Sequence, residues 1–359
     1  MQYLRKLNNY YYEILGEPES KAKRFIVTTE ESRKICNMPE IFGCDYTDMM
    51  SSAMVKALKY FPTNLSKTNE SEICVVTFLR GGLNFNLRDA LHKAFGFNKQ
   101  STSFMSSQRF KKDNRWGVKE DQYRKFIFPK NTTIFIGDVV ATGVTVKNGM
   151  DVVFEALKEN GSSVKDLFFF TIGCHKVEKV LDDVYDLFKA EFKGFKNFYV
   201  IYFEGKFKLA DSKTTLKIKI QGTDLLRTNA LLAPEFELSQ YDSVPFCLER
   251  CTIYDAGSRA FDISEYLKDV REYWEQVLGL AKQGFTLYDA MKERWPEVEY
   301  KDYETFVKTK KGQWQNINEE FLKQLYGKYK QRWTPQFIEK AKTSGALIEL
   351  CKKRIEEMH

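Results

Sequence analysis

The 359-residue sequence predicts an α/β protein with a parallel-sheet core and a mainly helical C-terminal region. Three observations carry this. Short apolar runs rich in β-branched residues recur at 73–79, 132–136, 166–173 and 197–203, as in strands buried on both faces. Stretches with helical spacing separate several of them, and strands alternating with helices form parallel sheets. Hydrophobic residues make up 43% of the chain, with 29 Phe and 19 Tyr, so sizeable aromatic cores can form and wholesale disorder is excluded.

The elements follow in order. Residues 1–65 form an N-terminal helical or hood segment with mixed helix and turn signals, ending in an amphipathic helix over 46–60. The α/β core spans 66–222. ICVVTFL, 73–79, is a strand, and Arg80-Gly81-Gly82 interrupts it before a helix over 83–95. A strand over 101–110 leads into the charged stretch 111–125, an exposed loop or solvated hairpin. TTIFI, 132–136, is a strand, and a helix over 146–160 stops at Gly161. Strand 166–173, helix 177–192 and strand 197–203 complete the core. The extension, 223–359, is irregular to about 262 and mostly helical after it, with Trp274, Trp295, Trp314 and Trp333 as expected core anchors.

Composition excludes several function classes. The net charge of +7 is modest and no long block of like charges occurs, so association with nucleic acid is not expected. Cys36, Cys44, Cys74, Cys174, Cys247, Cys251 and Cys351 are scattered and odd in number, which suits reduced thiols in the cytoplasm. With only His92, His175 and His359 and one close pair, Cys247 and Cys251, a structural zinc site is not expected. Cys174 and His175 are adjacent on a strand, where neighbours face opposite sides, so they do not read as a catalytic dyad. No signal-peptide core opens the chain and no apolar stretch is long enough to span a bilayer.

The stretch TIFIGDVVATGVTV, 133–146, carries the chemistry. A strand, a tight loop and a helix start leave backbone N–H groups free to hold an anion, above all a phosphate. Thr142 and Thr145 add hydroxyl donors, and Gly143 lets the backbone approach a ligand. Asp138 stands at the strand's carboxyl end, where parallel sheets bind ligands. A carboxylate beside a phosphate nest repels phosphate unless it faces hydroxyls or a magnesium-linked part of the ligand. The combination asks for a phosphorylated sugar. It is not a Walker A loop, since Gly-x4-Gly-Lys-Ser/Thr is absent.

IFIGDVVATGVT resembles the phosphoribosyl-diphosphate (PRPP) motif of type I phosphoribosyltransferases: an apolar strand, two acidic residues, then a Thr-Gly-x-Thr-like loop. The resemblance implies that Ala141, Thr142, Gly143, Val144 and Thr145 hold the 5′-phosphate and that Asp138 binds a ribose hydroxyl, with an indirect part in holding Mg²⁺. Gly137 stands where the first acid usually is, a departure that removes one hydroxyl ligand. Ala141 stands where 6-oxopurine enzymes carry an acid, so that subclass is not favoured. Arg80, Gly81 and Gly82 resemble the family's diphosphate loop; a tight turn explains them equally well. Residues 106–125 lie where the family has a mobile loop over the diphosphate, and Arg109, Lys111, Lys112, Arg115 and Lys119 would neutralise the leaving group; a plain solvated run is the alternative. Tyr202, Phe203 and Glu204 are the candidates for holding the acceptor.

The resemblance covers about 70–205. It implies transfer of phosphoribose from PRPP to a small nitrogenous base, with Asp138 and Arg80 as the catalytic residues, diphosphate as leaving group and Mg²⁺ as cofactor, in a homodimer. The alternative is a regulatory protein that senses PRPP or a nucleotide without turnover. The stretch ERCTIYDAGSRAFD, 249–262, reads as a turn closed by Asp255 and Arg259 around Gly257 and Ser258, or as a segment reaching over the sugar-phosphate site.

Overall fold

A computed structural model describes all residues except 113–114, 220–223, 250–260, 295–299 and 359; the side chains of 107–122 are also outside the description. Among the described residues an 11-stranded sheet forms the spine. Its strands are β1 (Tyr3–Lys6), β2 (Tyr11–Leu15), β3 (Lys23–Val27), β4 (Ile73–Leu79), β5 (Ser101–Lys112), β6 (Arg115–Lys125), β7 (Asn131–Val140), β8 (Ser163–Cys174), β9 (Asn197–Leu209), β10 (Leu225–Leu232) and β11 (Trp314–Gln315). The order is β11-β1-β2-β3-β9-β8-β7-β4-β5-β6, with β10 antiparallel on β9.

The strands β3, β9, β8, β7, β4 and β5 are parallel. The expected α/β class with a parallel sheet and a helical C-terminal region is what the chain adopts. Within the core, β5-β4-β7-β8-β9 has the doubly wound order 2-1-3-4-5. The central strands read as apolar runs because helices cover both faces. On one face Phe25, Phe61, Phe135, Phe168 and Tyr199 form a ring layer, with Phe135 and Phe168 stacked at 4.6 Å. On the other, helices Val144–Glu159 and Val177–Glu191 meet through Phe154 and Phe188 at 5.6 Å. Gly149 lets the first of these helices approach β4, since a Cβ there would stand 2.6 Å from Phe78.

Two regions differ from the sequence expectation. The N-terminal segment was expected to be helical, but β1–β3 come first and extend the sheet. Only then do helices Glu30–Asn37 and Gly43–Lys59 follow, the first capped by a reciprocal Thr29–Ser32 pair. The stretch after 223, expected to be irregular, contributes β10, and the helical extension contributes β11 beside β1. Trp274 and Trp314 are buried core anchors, as expected, and Trp314 Nε1 donates to Leu232 O at 3.2 Å. Trp295 and Cys251 lie outside the described residues.

The C-terminal region is bonded to the last turn of helix Glu30–Asn37 and to the residues just after it. Arg227 Nη2 donates to Cys36 O at 2.8 Å, Tyr266 OH to Pro39 O at 2.8 Å, and Arg354 pairs with Glu40 and Glu249. One cluster of buried apolar residues runs from Leu4 to Met358. Among the described residues no helix is long and apolar enough to cross a membrane.

Candidate functional site

In a doubly wound sheet the crossovers leave in opposite directions at one point, which opens a crevice beyond the carboxyl ends of the two strands there. Here that point lies between β4 and β7, paired from Ile73 with Thr133 to Val76 with Ile136. Strand β4 runs into Arg80-Gly81-Gly82, and β7, which carries Asp138 near its end, runs into the loop 141–143. The two segments singled out in the sequence therefore emerge side by side.

They also touch. Residues Gly81–Phe85 form a 3-10 turn that folds back onto β7. A Cβ on Gly82 would stand 3.1 Å from the Gly137 carbonyl oxygen. A Cβ on Gly137 would stand 2.5 Å from Phe85 Cγ and 2.6 Å from its Cβ. Phe85 is fully buried and neighbours Phe203 at 6.5 Å, as does Phe170, the residue paired with Gly137 across β7 and β8. The departure at 137 thus has a cause in packing: the space for a side chain holds an aromatic ring.

The loop after β7 is shaped for an anion. Gly143 has φ +79 and begins helix Val144–Glu159 with no side chain capping its first amides. Those N–H groups and the helix dipole favour negative charge. Thr142 is half-buried, and Thr145 Oγ1 is buried without a hydrogen-bond partner among the described residues. Beneath the loop, Cys174 Sγ donates to Ala141 O at 2.9 Å. This bond holds the carbonyl inward, and burial pushes the Cys174 thiol up to about 11. Cys174 is therefore a structural thiol. His175 lies in the turn after β8 rather than on the strand, its backbone N–H bonded to Phe207 O at 3.1 Å. Burial, with Lys208, Lys176 and Lys206 nearby, lowers the His175 pKa.

Asp138 is half-buried at the strand end, and its Oδ1 accepts the Val139 amide at 2.9 Å. Arg80 is exposed above Gly81 and Gly82. Of the stretch 111–125, read as a loop or a solvated hairpin, residues 111–112 end β5 and 115–125 form β6, which pairs antiparallel with β5. Arg109, Lys111, Lys112, Arg115 and Lys119 lie on its strands, and their side chains are outside the description. Asp255, Gly257, Ser258 and Arg259 are outside the described residues altogether.

Tyr202, Phe203 and Glu204, the acceptor candidates, are all at 0% exposure. Glu204 adopts φ +64 and accepts from Thr28 Oγ1 at 2.7 Å, Thr29 N at 2.9 Å and Ser32 Oγ. It ties the middle of β9 to the start of helix Glu30–Asn37. Burial raises its carboxyl pKa to about 7 against the pull of Arg33 and these donors. Tyr202 OH is buried without a partner among the described residues, and burial raises its pKa.

The residue the sequence reading missed is Phe85. It lies within a stretch read as ordinary helix, and only the packing of the turn onto β7 reveals its part. A metal cage is absent among the described residues: no three His, Cys, Asp or Glu side chains converge. Asp138 alone fits the usual protein share of a Mg²⁺–phosphate complex, in which one or two carboxylates join substrate oxygens.

Comparison with known proteins finds likeness in structure alone. No family model matches the sequence, and no curated protein does. A protein of Aquifex aeolicus is similar at 16% identity and a TM-score of 0.34, over 52% of this chain and 89% of its own. Adenine phosphoribosyltransferase of Trypanosoma brucei, solved with AMP, pyrophosphate and ribose-5-phosphate, is similar at 12% identity and a TM-score of 0.32, over 50% and 83%. Purine phosphoribosyltransferase of Pyrococcus horikoshii is similar at 16% identity and a TM-score of 0.24, over 44% and 87%.

Proposed function

We propose that the crevice between β4 and β7 binds PRPP, or a nucleoside 5′-phosphate, and that the protein transfers the phosphoribosyl group to a small nitrogenous base. The observation that supports this most is the contact between the Gly81–Phe85 turn and Gly137, which brings the glycine turn that follows Arg80 against the strand that leads into the uncapped start of helix Val144–Glu159.

The amides and hydroxyls of 141–145 take the 5′-phosphate. Asp138 accepts from a ribose hydroxyl. Arg80, with the amides of Gly81 and Gly82, takes the diphosphate. When bound, Mg²⁺ would neutralise diphosphate charge, with Asp138 as its protein carboxylate. The acceptor nitrogen forms a bond to C1 as the C1–O bond breaks. The electron pair leaves with the diphosphate, and the acceptor's N–H proton passes to diphosphate or solvent. Holding both ends of the sugar aligns this displacement and stabilises the leaving charge. A homodimer in the cytoplasm is the setting this reading implies.

A second reading, a sensor that binds PRPP or a nucleotide without turnover, is favoured by the closure of position 137 under Phe85. Release of diphosphate from PRPP with Mg²⁺, measured over a panel of purine and pyrimidine bases, separates the two. Release with any base, abolished in Arg80→Ala, supports the transferase. Binding of PRPP without release for every base supports the sensor.

A further inference from the structure

Resting on the sugar-phosphate reading of this site, we propose that Cys174 is a positioning residue: its thiol, through the bond to Ala141 O, aims the Thr142 amide at the bound phosphate.

The sheet brings the two residues together. Strands β7 and β8 pair up to Val140 with Gly173, so the next residues along, Ala141 and Cys174, lie side by side. There the Cys174 Sγ–H donates to Ala141 O at 2.9 Å. Cys174 is at 0% exposure, so the carbonyl it holds points into the protein. The Ala141–Thr142 peptide is trans and planar, with its C=O and N–H on opposite sides. Fixing the Ala141 carbonyl inward therefore turns the Thr142 N–H outward. Thr142 and Gly143 lead into helix Val144–Glu159, so that N–H joins the uncapped amides of the first turn.

The thiol's own direction is fixed from the other side. The backbone amides of Lys176 and Val177, at the start of helix Val177–Glu191, act on the sulfur. With donors on that side, the S–H hydrogen is left to point at Ala141 O. Burial, which pushes the thiol up to about 11, keeps that hydrogen on the sulfur. The loop rests on the same helix: a Cβ on Gly143 would stand 3.6 Å from Val180 Cγ2 and 3.8 Å from Val177 Cα. Two helix starts thus adjoin at Cys174. One turns its amides to the sulfur, and the other is left for the ligand. A hydrogen bond from an amide to a charged oxygen is stronger than one between neutral groups. Losing the aim of one such amide weakens phosphate binding without removing any atom the ligand touches.

The test is calorimetric titration of PRPP with Mg²⁺ into the wild type, Cys174→Ser and Cys174→Ala, with the carbonyl carbon resonance of Ala141 read by NMR in the same three proteins. Serine keeps a donor at this position and alanine removes it. The expected result is a Kd for Cys174→Ser within about threefold of the wild type and a Kd for Cys174→Ala weaker by about tenfold or more, with a marked move of the Ala141 resonance in Cys174→Ala alone. A purely structural role for the sulfur would weaken both variants alike. Equal binding by the wild type and Cys174→Ala, an equal loss in the two variants, or an Ala141 resonance unmoved in Cys174→Ala would overturn the inference. Absence of PRPP binding to the wild type would instead overturn the sugar-phosphate reading, and this inference with it.

Discussion

Phe85 and Gly137 share one volume: the ring of the first stands within 2.7 Å of where a Cβ on the second would be. The contact clamps the turn after β4 onto the end of β7.

Gly137→Ala is therefore expected to cost about 1–3 kcal/mol by overpacking. Phe85→Ala alone is expected to cost about 3–5 kcal/mol. The double variant is expected to lose less than the sum of the two, by at least about 1 kcal/mol, because the new methyl then occupies the vacated ring space. Urea denaturation of the four proteins checks this. Additive losses would show that the two residues do not compete for space.

Gly143 begins its helix at φ +79, where L side chains are disfavoured. Gly143→Ala is expected to cost about 1–2 kcal/mol of stability and to weaken phosphate binding as the loop relaxes. Thermal unfolding with and without PRPP measures both effects.

Glu204 links stability to pH. Its folded-state pKa of about 7 lies above the ordinary 4.5, with burial as the main cause. The folded state therefore holds its proton to higher pH than the unfolded chain. The stabilising contribution is full below about 4.5 and is lost as pH rises toward about 7. Glu249, also pushed up to about 7 by burial, acts in the same direction. Glu204→Gln is expected to flatten the decline between pH 5 and 7 by about 1.4 kcal/mol per unit at most, leaving the share of Glu249. Chemical denaturation across that range gives the slope, and an unchanged slope would remove Glu204 from the account.

Asp224 and Arg294 form a buried pair at 3.2 Å, and Arg294 Nη1 also donates to Ile218 O at 2.7 Å. Asp224→Ala strands a guanidinium in the core and is expected to cost about 3–5 kcal/mol. The loss should appear in denaturant unfolding followed by tryptophan fluorescence, since Trp274 and Trp314 share the same core.

Much of the core was legible because a doubly covered parallel sheet writes its strands as apolar runs: ICVVTFL is β4, and TTIFI lies within β7. β1 was not, because its four residues run Tyr-Leu-Arg-Lys with no apolar alternation and only Leu4 is buried. β10 breaks register between Leu226 and Leu231, which blurs its period. In the site, Gly137 was visible as a departure, but its cause was not, since Phe85 reaches it only through the pairing of β4 with β7. Glu204 reads in sequence like a ligand-binding carboxylate at a strand end; its partners Thr28, Thr29 and Ser32 lie more than 170 residues away.

The most direct measurement is the titration of PRPP with Mg²⁺ into the wild-type protein and Thr142→Val. The account predicts saturable binding to the wild type and a loss of roughly tenfold or more when the loop hydroxyl is removed. Equal binding to both proteins, or none to the wild type, would contradict the assignment of the β7 loop as a phosphate site.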